Sequence, residues 1–392
     1  MKKKMKTKPF PKWPNYNEEE MKMVLDVLKG NEWCRLSGNL VKEFDQKYAD
    51  YNNVKYGLGV TNGTHALELA LQSMGIKPGD EVIVPAITFI ATSTAVFRTG
   101  AIPVVVDVDP ETYCIMPEAI EKVITKKTKA IIPVHLAGHA CDMDRICDIA
   151  KKNNLLVLED AAHAQGGEYK GRRLGSIGDA AAYSFQSKKI LSSGEGGAFI
   201  TNNKAFYDIA LLIHSVGRPE GDKIYEHLVL GTNYRMNSFQ AALLIPQLKT
   251  LDSDNQKREK NAKILDELLC GIQGIIPQKR KEYCTINTHY MYMFEFDSNY
   301  FNGMSRKEFV EKLNINDVPA HYSYPVVSET EFFKKKAFMG YIDPEKVVIS
   351  DSLVNAKKIA STVVWLPHEV LLGDEQDLIE IKNIIEMIQR NS

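Results

Sequence analysis

The sequence predicts an α/β protein, in which a large domain with a mostly parallel mixed sheet between helices is followed by a smaller C-terminal α/β domain. Three observations carry that expectation. From Tyr56 onward, short apolar runs alternate with segments of helical periodicity. The runs are nearly all Val, Ile and Leu, which implies burial on both faces, as in a parallel sheet. A chain of 392 residues also exceeds what one core usually holds. Beyond about residue 250 the pattern shifts to alternating strands and charged helices, so the expected division is a tail over 1–15, a large domain over 16–250 and a small domain over 251–392.

The elements follow in order. Five lysines among the first eight residues form a solvated tail, and Pro9 to Pro14, with three prolines, must run extended over a surface. Helices are expected over Asn17–Leu28, with Glu18 to Glu20 at its N-terminus, and over Val41–Tyr51. The alternation then reads strand Tyr56–Val60, helix His65–Met74, strand Glu81–Pro85, helix Thr88–Arg98 and strand Ile102–Asp107. It continues with helix Pro117–Ile124, strand Thr128–Val134, helix Met143–Lys151 and strand Leu155–Glu159. A helix Ala205–His214 and a long helical stretch from Ser238 to Leu269, interrupted by Pro246, lead into the second domain. There the strand Met291–Phe296 and the helices Arg306–Leu313 and Asp374–Ile388 are expected.

Composition narrows the function. The net charge of −1 offers no global attraction to nucleic acid or to an anionic membrane, and no apolar run has the length of a signal peptide or membrane span. The six cysteines include no Cys-x-x-Cys pair, which argues against a zinc site or a disulfide framework and for a reducing cytoplasm. No metal is expected.

Four features carry chemistry. Thr61-Asn62-Gly63-Thr64 lies between a strand and a helix N-terminus, where backbone N–H groups and the helix dipole suit a phosphate, although such turns also cap ordinary helices. Asp160 ends a buried strand in Glu159-Asp160-Ala161-Ala162-His163; it either caps the next segment or holds a proton on a ring nitrogen, with His163 alongside. Phe89 is a core aromatic, or it stacks on a flat ring at the same sheet edge. Between two expected strands, Ser184 to Gly197 carries Lys188 and Lys189 on a glycine-flanked turn. Lysines on a turn are usually solvated, but small neighbours on both sides let backbones close in, and a desolvated lysine becomes a nucleophile. A phosphate cradle, a carboxylate for a pyridine nitrogen, an aromatic face and a lysine for an aldehyde together suggest pyridoxal 5'-phosphate.

With Gly231-Thr232-Asn233-Tyr234-Arg235-Met236, these segments resemble the signatures of the DegT/DnrJ/EryC1/StrS aminotransferases, pyridoxal-phosphate enzymes of fold type I. Within that family, Phe10 to Pro14 and the Ser-Phe-Gln form of the lysine motif look most similar to the 3-amino-5-hydroxybenzoate synthases and the inosose aminotransferases. The resemblance places the Schiff-base lysine five residues before Gly194, at Lys189, and leaves Lys188 solvated. It implies Ser184, Gly63 and Thr64 at the phosphate, Asp160 at the ring nitrogen, His163 at the ring hydroxyl, Phe89 on the ring face, and Asn233 reaching the phosphate of a neighbouring subunit in a homodimer with shared active sites. The implied reaction moves an amino group from L-glutamate or L-glutamine to a keto sugar, possibly nucleotide-linked, or to a keto cyclitol, in amino-sugar or secondary-metabolite biosynthesis. Two other readings stand beside it: a dehydrating lyase like the benzoate synthases, and a non-catalytic cofactor-binding regulator. Trp33, Arg35, His321, Tyr322 and Thr288 to Tyr290 fall where such proteins contact substrate, or are packing and surface.

Overall fold

The computed structural model describes residues 8–222 and 224–392, so the expected solvated tail, apart from Lys8, lies outside the described residues. The first part of the chain holds strands β1 (Tyr56–Val60), β2 (Glu81–Pro85), β3 (Ile102–Val106), β4 (Thr128–Ile131) and β5 (Leu156–Asp160). A hairpin of β6 (Glu168–Tyr169) and β7 (Arg172–Arg173) then precedes β8 (Ala180–Ser184) and β9 (Gly197–Thr201). The remainder holds β10 (Ile275–Pro277), β11 (Cys284–Ile286), β12 (Met291–Phe296), β13 (His321–Tyr322), β14 (Val348–Ile349) and β15 (Val363–Pro367).

Eight strands form one mixed sheet in the order β1-β9-β8-β5-β4-β2-β3-β14. From β8 to β14 every pairing is parallel, while β9 runs against both of its neighbours. β2 and β3 are buried at every position because helices cover both faces, which is why these strands read as unbroken apolar runs. β8 is alanine-rich instead, and its small residues let the helix Gly63–Ser73 pack closely over it. That helix begins where Asn62 accepts a hydrogen bond from the N–H of His65. The carboxyl ends of β1, β2, β5 and β8, with the start of β9, therefore meet at one edge, where open α/β sheets bind ligands.

The expected interruption near Pro246 is present: the stretch from Ser238 to Leu269 is two helices, Ser238–Gln247 and Leu251–Leu269, and Pro246 falls in the last turn of the first. Chain beyond residue 250 contributes to two cores. A second core lies between the antiparallel sheet β10-β12-β15-β13 and the helices Leu251–Leu269, Arg306–Ile315 and Glu375–Arg390. Yet Val326, Phe333, Phe338, Ile342 and Leu353 pack into the core of the large sheet, and β14 extends that sheet beside β3. In return Phe10, from the expected tail, packs against the second core. The apolar surface of each unit is completed by chain from beyond the boundary, which composition alone does not register.

Candidate active site

Period-two alternation puts Glu159 and Asp160 on opposite faces of β5, and their surroundings differ accordingly. Glu159 is fully buried; it accepts hydrogen bonds from His135 Nε2 at 2.9 Å, from the N–H groups of Gly175 and Ile177 at 2.7 Å each, and from that of Gly178 at 2.6 Å. Burial pushes its carboxyl up, but the imidazole and the backbone donors outweigh that and hold it below the usual value. Glu159 is thereby a fastening for the loop before β8. Asp160 faces a cavity of about 720 Å³ at the sheet edge. Burial raises its carboxyl above the ordinary value, opposed by a hydrogen bond from Thr92 at 2.8 Å, one from the N–H of Ala162 at 3.2 Å, and the charge of Lys189.

The same cavity is lined by Gly63, Thr64, Phe89, His163, Ser184 and Lys189. Gly63 and Thr64 open their helix, so their N–H groups face the cavity end without a partner one turn back. The glycines here are required by proximity. A Cβ on Gly63 would stand 2.7 Å from Ser184 Cβ, and one on Gly197 would stand 2.5 Å from the Asn62 carbonyl. Phe89 is not a core aromatic: it is 54% exposed, on the cavity wall. His163 is buried and accepts the N–H of Ala137 on Nδ1 at 3.3 Å, which leaves Nε2 to carry the proton and face a ligand. Desolvation holds it neutral, far below the usual imidazole range.

Lys189 and Lys188 are separated by the fold. Lys189 is 9% exposed and its Nζ lies 4.3 Å from the centroid of the Tyr290 ring. Desolvation brings its pKa down to about 7, with the nearby charge of Asp160 opposing. Lys188 is exposed, but it also lines the cavity mouth rather than standing apart from the site. Asn233 is exposed on a bridge to Ser215 and lies off this cavity.

The loop and aromatic candidates sort differently. Arg35 is buried and ion-paired with Asp45, which also takes the N–H of Gly59, so its role is to tie β1 to the segment before it. Trp33 donates to the Val27 carbonyl at 3.1 Å. Thr288 is buried and donates to the His163 carbonyl at 2.7 Å, and the Tyr290 ring lies against the His163 ring, tilted by 30° with centroids 4.3 Å apart. Among groups not singled out from sequence, Tyr324 and Trp365 line the cavity, and Thr92 stands behind it, bonded to Asp160. Thr92 had a faint signal, since it stands one helical turn after Thr88 on an expected helix. The aromatics come from the far end of the chain and had none.

The residues fit pyridoxal 5'-phosphate. The volume lies in the range of small-cofactor sites, the Gly63 and Ser184 end is closed to any added side chain, and a buried carboxylate and an amine whose pKa burial lowers to about 7 face the same space.

The family model for the DegT/DnrJ/EryC1/StrS aminotransferase family matches residues 14–389. The chain is 39% identical over 382 residues to 3-amino-5-hydroxybenzoate synthase from Amycolatopsis mediterranei, covering 97% of each chain. It is 32% identical over 412 residues to L-glutamine:2-deoxy-scyllo-inosose aminotransferase from Streptoalloteichus tenebrarius, covering 99% of this chain and 96% of the other. The crystal structure of 3-amino-5-hydroxybenzoic acid synthase superposes with a TM-score of 0.89 at 38% identity, over 98% of this chain and 99% of that one.

Proposed function

Because the chain belongs to the DegT/DnrJ/EryC1/StrS aminotransferase family and is a pyridoxal-phosphate-dependent enzyme, we propose that it moves an amino group from L-glutamine or L-glutamate to a ketone of a cyclitol or sugar. The observation that supports this is the pairing of Lys189, with a pKa of about 7, and the buried Asp160 in one cavity. When bound, pyridoxal phosphate supplies an electron sink for the bonds at the amino-bearing carbon.

The chain's own residues do the rest. Gly63, Thr64 and Ser184 would hold the phosphate, at the positive end of a helix whose first N–H groups are free to donate. Phe89 would cover one ring face, and His163 would donate from Nε2 to the ring hydroxyl. Asp160 would keep a proton on the ring nitrogen. Its cost of burial is lowest when a cation stands beside it, so the bound ring and the carboxylate stabilise each other. Lys189 would bind the cofactor aldehyde and, once released, carry a proton between the donor carbon and the cofactor. A pKa near neutrality lets it both take and return that proton. Replacing Lys189 by Ala should abolish the absorbance band of lysine-bound cofactor, and Lys188→Ala should leave it; the reverse result would move the role to Lys188.

The relative named 3-amino-5-hydroxybenzoate synthase favours a second reading, amination followed by loss of water. One experiment addresses both. The enzyme is loaded with the amino group from L-glutamine or L-glutamate, and inososes, free keto sugars and nucleotide-linked keto sugars are screened for return of the original spectrum. Mass spectrometry of the product then separates simple amination from amination with loss of one water. If no ketone restored the spectrum, the transfer reading would fall.

The proposal includes a homodimer. Ile224, Tyr225, Leu228 and Leu230 are 54% exposed or more on one loop next to Asn233, an apolar surface that a second copy would cover. All six cysteines are unpaired, which suits the cytoplasm.

A further inference from the structure

Several carbonyls of the lysine turn are satisfied from elsewhere: those of Ser192 and Glu195 take Gln247 Nε2 and Gln240 Nε2, and two others flank the Lys189 Cα. Within Phe185 to Gly196, hydrogen bonds run from Ser187 N to the Gly194 carbonyl, from Lys189 N to the Gln186 carbonyl, and from Ser193 N to the Phe185 carbonyl. The carbonyls of Lys188 and Lys189 instead take side-chain donors from opposite ends of the chain. Trp13 Nε1 donates to the Lys189 carbonyl at 2.9 Å, across 176 residues. His368 Nε2 lies 3.1 Å from the Lys188 carbonyl, across 180 residues, and because a carbonyl only accepts, that nitrogen carries the proton.

The two donors also brace each other. Their rings meet edge to face at 4.7 Å, and the guanidinium of the fully buried Arg258 lies 5.7 Å from the Trp13 ring. His368 is 1% exposed, and desolvation keeps it far below the usual imidazole range, so it stays a neutral donor through physiological pH. The segment that presents Trp13 is itself fastened: Phe10 packs on the second core and Lys8 pairs with Asp374 at 2.5 Å.

These two carbonyls belong to the peptide planes on either side of the Lys189 Cα. The orientation of the first plane sets φ of Lys189 and that of the second sets ψ, and the two together aim the Cα–Cβ bond. We propose that Trp13 is a positioning residue for Lys189: with His368, its indole N–H fixes both peptide planes and so holds the lysine side chain in the cavity. The N-terminal strap, residues 8–14, is then part of the active site without touching the cofactor. The inference rests on the reading of Lys189 as the lysine that carries the cofactor.

The test uses the full-length holoenzyme with Trp13→Phe, which keeps an aromatic ring and removes the donor, and with Tyr300→Phe, at an exposed aromatic away from the turn, as a control. Borohydride reduction fixes the cofactor to whichever lysine carries it, and peptide mapping identifies that lysine. In the wild type the label should lie on Lys189; a label on Lys188 would overturn the underlying reading whatever Trp13 does. In Trp13→Phe the rate of labelling at Lys189 should fall about five- to tenfold, the worth of one lost hydrogen bond, and the pH midpoint of the cofactor spectrum should move, with kcat lowered and KM for the donor unchanged. Tyr300→Phe should match the wild type. If Trp13→Phe kept the wild-type labelling rate and pH midpoint, whatever happened to its melting temperature, Trp13 would be packing only and the proposal would be wrong.

Discussion

Thr92 Oγ1 donates a 2.8 Å hydrogen bond to Asp160 Oδ2, and Thr88 Oγ1 lies 2.8 Å behind it. Thr92 has a single hydroxyl proton, already given to Asp160, so Thr88 must donate to Thr92. Both threonines are buried, and the pair forms a one-directional relay that aims and stabilises the carboxylate. Thr92→Val should push the carboxyl of Asp160 further up and weaken cofactor binding roughly tenfold, while Thr92→Ser should keep it. Equilibrium dialysis against pyridoxal phosphate checks this, and unchanged affinity in the valine variant would remove the relay from the account.

The two neighbouring carboxylates should fail in opposite ways. Glu159 is held below the usual carboxyl value, so its stabilisation is present above its unfolded value and is lost as pH falls through the folded one. Glu159→Gln should therefore cost about 3 kcal/mol at neutral pH, because a buried acceptor of four donors is disrupted, and that difference should shrink in acid. Asp160→Asn should change stability little and release the cofactor. Urea titration at two pH values, with the cofactor content of each variant, separates the two.

The buried amine of Lys189 carries the opposite pH signature. Its folded pKa of about 7 lies below the ordinary lysine value of 10.5, so between those values the unfolded chain binds more protons and stability rises with pH. In cofactor-free protein, Lys189→Met should be more stable than the wild type by a few kcal/mol at and below pH 7, with the gap closing toward pH 10.5. Thermal unfolding across that window measures it. A constant gap would mean that the lysine is solvated after all.

The proposed sharing of a site within a dimer makes a mixing prediction. Lys189→Ala and Asn233→Ala would each disable every site of their own homodimers, by different subunits' contributions. Random re-assortment gives half mixed dimers, each with one intact site of two, so activity should return to about a quarter of the wild type. No recovery after verified subunit exchange would place Asn233 outside its partner's site.

Local patterns wrote much of this protein into its sequence. Strands covered on both faces read as apolar runs, and β1, β2 and β3 emerge within a residue of their expected limits. The Asn62 to Thr64 turn, the strand ending at Asp160 and the glycine-flanked lysines are each legible because one short window contains the whole signal. What the tertiary structure decided lies between windows. Alternation says that Glu159 and Asp160 point apart, but the loop of Gly175 to Gly178 and the helix bearing Thr92 determine which one meets the cavity. Two adjacent lysines look alike until one is buried beneath Tyr290 and the other is left at the mouth. The hydrogen bond from Trp13 to Lys189 spans 176 residues, and β14 joins a sheet begun almost 300 residues earlier. Such contacts depend on the order in which strands assemble and on which apolar surfaces remain to be covered, and no local periodicity carries that information.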